Sequence, residues 1–231
     1  MKRKALVYGA VSAVLITATA VSLSACNGSA ARVKSDEVSK ETWQSALDSD
    51  NFNNYAMEVV ITTEKKDDSG AQGAVTMHYT LSFETSQTQF KAHIKGKESY
   101  EGAAVLNGVK SRKVEYYLNN SATDYIYKTK KGWKTAKSSE DYASLGSIVG
   151  FMGELLIAER LVKEYDSFKY DKASKGYIRR IAEASENTVV KFKKDKLKAI
   201  VNEVAYGNDL KANIQIVYTF GGQSITIPEL S

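Results

Sequence analysis

Apolar and polar residues alternate along much of this chain. The alternation is strictest over residues 75–83, and the same period of two recurs over residues 55–61, 90–94, 114–118 and 214–220. In an extended strand, this period places the apolar side chains on one face. The pattern therefore predicts antiparallel strands that bury one face and expose the other face to water.

Two segments have helical spacing instead. Trp43 and Leu47 lie four residues apart and predict a short amphipathic helix over residues 38–50. After Ser138, a broad apolar stripe predicts a second helix over residues 139–163, which would be about 37 Å long. This second helix would be the main element available to cover the predicted strands.

The long predicted helix carries three glycines, Gly146, Gly150 and Gly153, close together on one side. Each glycine costs about 1 kcal/mol of helix propensity relative to alanine. Three interpretations are open. The glycines allow close packing on a sheet, they loosen the segment so that it acts as a movable cover, or they divide it into two helices.

Beyond residue 163 the period of two returns in short runs, separated by turns such as the one at residues 194–196. The predicted fold class is α+β and mostly β. An antiparallel sheet would be covered by the long helix and by the short N-terminal helix. Because one helix covers much less area than a large sheet exposes, we expect the sheet to curve strongly or to bind something.

The first 26 residues have the order of parts that is typical of a secretory signal. Basic residues 2–4 precede an uncharged and mostly apolar stretch over residues 5–23, and small residues then lead to the single cysteine, Cys26. The Leu-Ser-Ala-Cys sequence at residues 23–26 resembles a bacterial lipobox, where the signal is cut before the cysteine and lipid is attached to its sulfur. The alternatives are an ordinary signal peptide and an uncleaved membrane helix.

The lipobox divides the chain into a signal peptide at residues 1–25, a flexible tether at residues 26–37 and one folded domain at residues 38–231. A lipidated Cys26 would make the membrane a partner and would hold the domain outside the cytoplasm, at the cell membrane. We expect a Gram-positive rather than a Gram-negative cell, because lysine-rich lipoproteins of this composition are familiar there.

Composition and charge exclude several classes of function. Three of the 32 basic residues lie in the predicted signal, so 29 basic residues face 27 acidic ones, a balance that argues against a nucleic-acid partner. With Cys26 lipidated, no cysteine remains for a disulfide or a thiolate metal site. His78 and His93 fall on the polar faces of their strands and lack partners at metal-ligand spacing. Since the sequence has no nucleophile, phosphate-binding or dinucleotide-binding motif, we expect neither enzymatic activity nor a cofactor.

Three stretches of the sequence carry a resemblance to a known family. They are Trp43 and Leu47 followed by residues 54–59, the strand–turn–strand pattern of residues 188–197, and residues 214–228 with their Ile-Thr-Ile-Pro end. In these stretches the chain resembles the bacterial lipoprotein carriers of the LolA and LppX/LprG type. The resemblance implies a half-barrel, which is a strongly curved and unclosed antiparallel sheet, with an apolar hollow that helices partly cover. It supplies no catalytic or ligand-binding motif for transfer to this chain.

Two functions of different classes fit these patterns. The first is a non-catalytic lipoprotein that binds a lipid or another amphiphile in an apolar cavity, as a carrier or a sensor. The residues predicted to line that cavity are Met57, Val59, Ile61, Val75, Met77, Tyr79, Leu81, Phe83, Phe90, Ile94, Ile214, Ile216 and Tyr218, with Met152, Leu155 and Leu156 as its cover. The second is an envelope module for protein–protein interaction or sensing, with a filled core. The sequence does not identify its protein partner.

Overall fold

The computed structural model of this protein describes residues 37–67, 69–105, 108–120, 124–137, 157–181, 186–206 and 210–230. Eleven strands in these ranges form a single antiparallel sheet. The strands are β1 (Asn54–Lys66), β2 (Gln72–Thr85), β3 (Phe90–Gly102), β4 (Ser111–Asn119), β5 (Asp124–Thr129), β6 (Gly132–Lys137), β7 (Lys169–Asp171), β8 (Gly176–Ile181), β9 (Glu186–Lys193), β10 (Lys196–Tyr206) and β11 (Leu210–Phe220).

The strands follow one another in space almost as they do in sequence. β1 to β6 form one meander and β7 to β11 form another, and the two meanders join where β1 pairs with β11. The ends of the sheet are β6 and β7, so the sheet is not closed into a barrel. The prediction of a mostly β protein with one antiparallel sheet is confirmed, and an open sheet is consistent with a half-barrel.

Turn chemistry explains the reversal between β9 and β10. Lys194 and Asp195 both have positive φ, at 51° and 60°. Positive φ at both central residues is the property of the type I′ turn, whose twist matches that of paired strands. The turn predicted at residues 194–196 lies at this position.

The short predicted N-terminal helix is present as α1 (Lys40–Ala46). It begins after Ser39, whose Oγ accepts a hydrogen bond from the backbone N–H of Thr42 at 3.2 Å. Such a cap satisfies one of the N–H groups that a helix leaves without a partner in its first turn. A single turn of 3-10 helix, Ser49–Phe52, connects α1 to β1.

The long helix predicted over residues 139–163 is not seen. The described helix in this region is α2 (Ile157–Lys163), followed by the 3-10 turn Tyr165–Ser167. Its described residues follow the three glycines at positions 146, 150 and 153 in the sequence. The rest of the predicted helix, at residues 139–156, lies outside the described residues.

Trp43 attaches α1 to the part of the sheet near β8 and β9. Its side chain is fully buried, and its indole Nε1 donates a hydrogen bond to the carbonyl oxygen of Leu161 in α2 at 3.0 Å. Four further rings have centres 5.1–5.3 Å from the indole, those of Tyr165, Phe168, Tyr177 and Phe192. The Tyr177 hydroxyl also accepts a hydrogen bond from the N–H of Val38 and donates one to its carbonyl, both at 2.6 Å. The contacts of α1 and Val38 therefore hold the N-terminal segment against the sheet.

Candidate functional site: the inner face of the sheet

One face of the sheet carries most of the buried apolar side chains, and we call it the inner face. Alternate residues of β1, from Tyr55 to Thr63, lie on it, and their partners on β2 and β11 continue it in register. The opposite, outer face carries the residues in between, such as Glu58, His78 and Lys95. The period of two in the sequence thus separates a dry face from a wet face, as expected for antiparallel strands.

Twelve of the residues predicted to line a cavity are buried together on the inner face, and none exposes more than 6% of its surface. They are Met57, Val59, Ile61, Val75, Met77, Tyr79, Leu81, Phe83, Ile94, Ile214, Ile216 and Tyr218. Phe90 is half-buried and packs against the same core. Met152, Leu155, Leu156 and Cys26 lie outside the described residues. That the twelve residues line a cavity is still a prediction.

Strand register divides the inner face into rows that cross the sheet. The row through Met57 is apolar and aromatic and includes Leu81, Ile94 and Tyr218. The row through Ile61, four residues further along β1, is apolar in the middle and polar at both ends. We call it the polar row, and its members are Arg112, Glu98, Met77, Ile61, Ile214, Asn202, Thr188 and Arg179.

At one end of the polar row, four donor groups surround the Glu98 carboxylate, which is 1% exposed. Its Oε1 accepts hydrogen bonds from the Tyr79 hydroxyl at 2.6 Å and from Arg112 Nη2 at 3.1 Å. Its Oε2 accepts hydrogen bonds from the Tyr100 hydroxyl and from Arg112 Nε. Burial, and then the neighbouring Glu98 charge, raise the pKa of Tyr79 well above its usual range. This carboxylate is therefore paired with Arg112, and both of its oxygens accept hydrogen bonds.

At the other end of the row, Arg179 is held between a carboxylate and an aromatic ring. Its Nη1 donates a hydrogen bond to Glu164 Oε2, and its guanidinium carbon lies 5.4 Å from the centre of the Phe168 ring. Beside it in the row, Thr188 is 3% exposed, and its Oγ1 has no hydrogen-bond partner among the described residues. Asn202 follows on β10 and is also buried.

The polar row was not predicted from the sequence, although part of its signal was present. Glu98 lies four residues after Ile94 on β3, an even number of positions. Continuing the alternation therefore places its carboxylate on the same face as Ile94, the inner face. Its partner Arg112 lies on the next strand, β4. Because a loop separates the two strands, the sequence alone does not show which residue of β4 lies opposite Glu98. Thr188 and Asn202 are ordinary strand residues in a sequence, and their burial depends on tertiary packing.

The tyrosines of the inner face contribute a packed aromatic surface. Tyr55 stacks on Phe83 with ring centres 4.7 Å apart, and Tyr218 is nearly parallel to Phe220 at 6.0 Å. Burial raises the pKa of Tyr55 and Tyr218 far above the usual range of a phenol, so both stay neutral. Neutral rings of this kind can line either a filled core or the wall of a hollow.

Both histidines lie on the outer face, where the alternation predicts them. His78 is exposed, with Nε2 3.0 Å from Glu58 Oε1. His93 has Nε2 3.2 Å from Glu115 Oε1, and its ring stacks on Tyr117 with centres 4.2 Å apart. In the parts of the chain that the structure describes, no group of three or more His, Cys, Asp or Glu side chains is placed to hold a metal ion.

No model of a known protein family matches the sequence, and no curated protein matches it. The resemblance to the LolA and LppX/LprG carriers is therefore still a prediction, and the structure shows only its coarser part, an open antiparallel sheet. Among the helices that the structure describes, none is both long and apolar enough to cross a membrane.

Proposed function

We propose that this protein is an exported lipoprotein, anchored to the cell membrane through Cys26, that binds a lipid or another amphiphile at the inner face of its sheet without catalysing a reaction. The observation that carries the proposal is the size of the inner face. Eleven strands at the usual spacing make a sheet about 50 Å wide. In comparison, the seven residues of α1 form a helix only about 10 Å long, which covers a small part of this face. We infer that the sheet curves around a hollow that an amphiphile fills.

The apolar rows would supply the binding energy of this hollow. Burial of an alkyl chain contributes about 0.8 kcal/mol for each methylene group removed from water. Apolar walls select a ligand by the length and bulk of its chain more than by its chemistry. We therefore expect lipids that share a head group and differ only slightly in their acyl chains to bind with comparable affinity.

A fluorescent fatty-acid probe tests the hollow, with Met77→Trp as the informative variant. Met77 lies in the middle of the inner face, so a larger side chain there would occupy the space of the ligand. We expect saturable binding to the wild type and at least about tenfold weaker binding to the variant, with an unfolding midpoint near that of the wild type. Thr80→Trp, on the exposed face of the same strand, is the matched control and should bind as the wild type does.

A solid core gives a different result in the same experiment. Extra volume in a well-packed interior costs about 1–3 kcal/mol of stability. A destabilised Met77→Trp variant, together with a wild type that does not bind the probe, would contradict the hollow.

The membrane anchor is tested independently of the hollow. In a bacterial host, the wild type should incorporate labelled palmitate and sediment with membranes, and Cys26→Ala should lose the label. Membrane association of the wild type without any label would contradict lipidation and would favour an uncleaved N-terminal helix.

The second candidate function is a protein-interaction or sensor module with a filled core. The observation that favours it is the burial of the twelve inner-face residues, because close packing within the protein also gives exposures of 6% or less. Such a module would bind a partner through its outer face or its sheet ends. It would bind neither fatty-acid probe nor lipid in a saturable manner.

A further inference from the structure

The acidic and basic side chains of the polar row already have partners of opposite charge type within the protein. At one end Arg112 neutralises Glu98, and at the other end Arg179 faces Glu164. Glu98 is 1% exposed, so a further charge placed beside it would lie in a poorly hydrated environment. Bringing an ion into such a place without a counter-charge is costly. The polar row therefore disfavours a ligand group that carries a net charge.

Thr188 offers a hydroxyl that no group in the described residues uses. It lies on the inner face between Arg179 and Asn202, it is 3% exposed, and its Oγ1 has no hydrogen-bond partner in the part of the chain that the structure describes. A buried hydroxyl in this state loses its hydration without compensation. A hydroxyl group on a ligand would supply the missing partner, because a hydroxyl both donates and accepts.

The apolar rows begin beside this hydroxyl. From the polar row at Ile61 to Tyr55, six residues of β1 span about 20 Å. The inner-face residues over this length include Val59, Met57 and their apolar partners on β2 and β11. An extended hydrocarbon chain that starts at the polar row would lie along these rows.

We propose that the ligand is an amphiphile with an uncharged, hydroxyl-bearing head group, such as a diacylglycerol, and that its hydroxyl is bound at Thr188. This inference rests on the proposed function and names the chemical class of its ligand. The head group lies at the polar row next to Asn202, and the acyl chains extend along the apolar rows.

The test compares three photoactivatable lipids in vesicles that carry the full-length protein. They are a diacylglycerol, its methyl ether, which lacks the hydroxyl hydrogen, and a phosphatidic acid with the same chains. The measured quantity is the fraction of protein cross-linked to each lipid. We expect the diacylglycerol to label the wild type about tenfold more than the other two lipids, the effect of one buried hydrogen bond.

Thr188→Val should remove the preference for diacylglycerol, although the methyl ether should still label this variant. Thr188→Ser should retain the preference. Because valine has the shape of threonine and removes the unused hydroxyl, the ligand-free variant should unfold at the same temperature as the wild type or higher. Thr63→Val, also a buried threonine of the inner face, is the control and should keep the preference.

Equal labelling of the wild type by diacylglycerol and methyl ether would overturn the head-group proposal. Stronger labelling by phosphatidic acid, or an unchanged preference in Thr188→Val, would overturn it as well. In these three outcomes a lipid still binds, so the proposed function stands. Absence of labelling by all three lipids would instead overturn both.

Discussion

Glu98 illustrates how a single carboxylate is retained on an apolar sheet face. An ion removed from water is stable only if opposite charge and hydrogen bonds replace its hydration. Arg112 supplies the charge, and the hydroxyls of Tyr79 and Tyr100 complete the coordination. The cost of removing one of these donors should therefore exceed the cost of removing an ordinary surface hydrogen bond.

Tyr79→Phe removes one donor from this buried carboxylate and leaves the ring in place. We expect the free energy of unfolding to fall by about 1–3 kcal/mol, measured by urea denaturation at neutral pH. Tyr55→Phe is the matched control, since Tyr55 is equally buried and its hydroxyl makes no hydrogen bond within the described residues. Equal losses in the two variants would contradict the role assigned to the Tyr79 hydroxyl.

Glu203 on the outer face presents the opposite situation, a carboxylate with too few partners. Its Oε1 accepts a hydrogen bond from Asn213 Nδ2 at 3.1 Å, whereas its Oε2 is buried and has no partner within the described ranges. Asn187, directly across on β9, has a buried amide that also finds no partner there. Desolvation, opposed by the Asn213 hydrogen bond, raises the pKa of Glu203 above its usual range.

Glu203→Gln should stabilise the protein at neutral pH and have little effect in acid. Because the pKa of Glu203 is raised in the folded state, folding favours the protonated form. Its contribution to stability is present below the usual glutamate pKa and is lost as the pH rises through the raised value. Thermal unfolding from pH 3.5 to 7.5 checks this, with the exposed Glu64→Gln as control. A variant that is less stable than the wild type at pH 7 would contradict the assignment.

At the scale of elements, the pairing of β2 with β3 depends on a glycine. Gly96 lies directly opposite Tyr79, and a Cβ at this position would come within 2.3 Å of both Tyr79 Cδ1 and the carbonyl oxygen of His78. The absent side chain leaves room for the Tyr79 ring. Since that ring carries the hydroxyl bound to Glu98, Gly96 supports the buried carboxylate from a neighbouring strand.

Gly96→Ala should cost about 1–3 kcal/mol of unfolding free energy, because the methyl group forces Tyr79 or the backbone to move. Part of this cost is loss of the Tyr79–Glu98 hydrogen bond. The double variant Gly96→Ala/Tyr79→Phe should therefore lose less unfolding free energy than the sum of the losses in the two single variants. Strict additivity in urea denaturation would show that Gly96 and the Tyr79 hydroxyl act independently.

Elements with strong local signals were predictable from the sequence. The alternation in β1, β2 and β11, the turn between β9 and β10, and the Trp43–Leu47 spacing of α1 are all local patterns. The long helix predicted over residues 139–163 is not seen. The described helix there is Ile157–Lys163, and residues 139–156 lie outside the described residues.

At the scale of the whole molecule, the pairing of β1 with β11 determines the architecture. It joins residues as distant in sequence as Val59 and Ile216 and makes two meanders into one sheet. No local pattern in one sequence indicates such a pairing, and the resemblance to lipid carriers was the only argument for a continuous open sheet. The burial of the apolar inner-face residues could be predicted because period two assigns faces, whereas the polar row could not, because it depends on register across seven strand pairs.

The central claim is that the domain encloses a hollow for an amphiphile, and native mass spectrometry tests it most directly. Residues 38–231 would be produced in a bacterial host and purified without detergent. The account predicts a reproducible mass above that of the chain, with an adduct that organic solvent extracts as a lipid. If the mass equals that of the chain alone, before and after incubation with a total lipid extract, the inner face is a filled core and the claim is wrong.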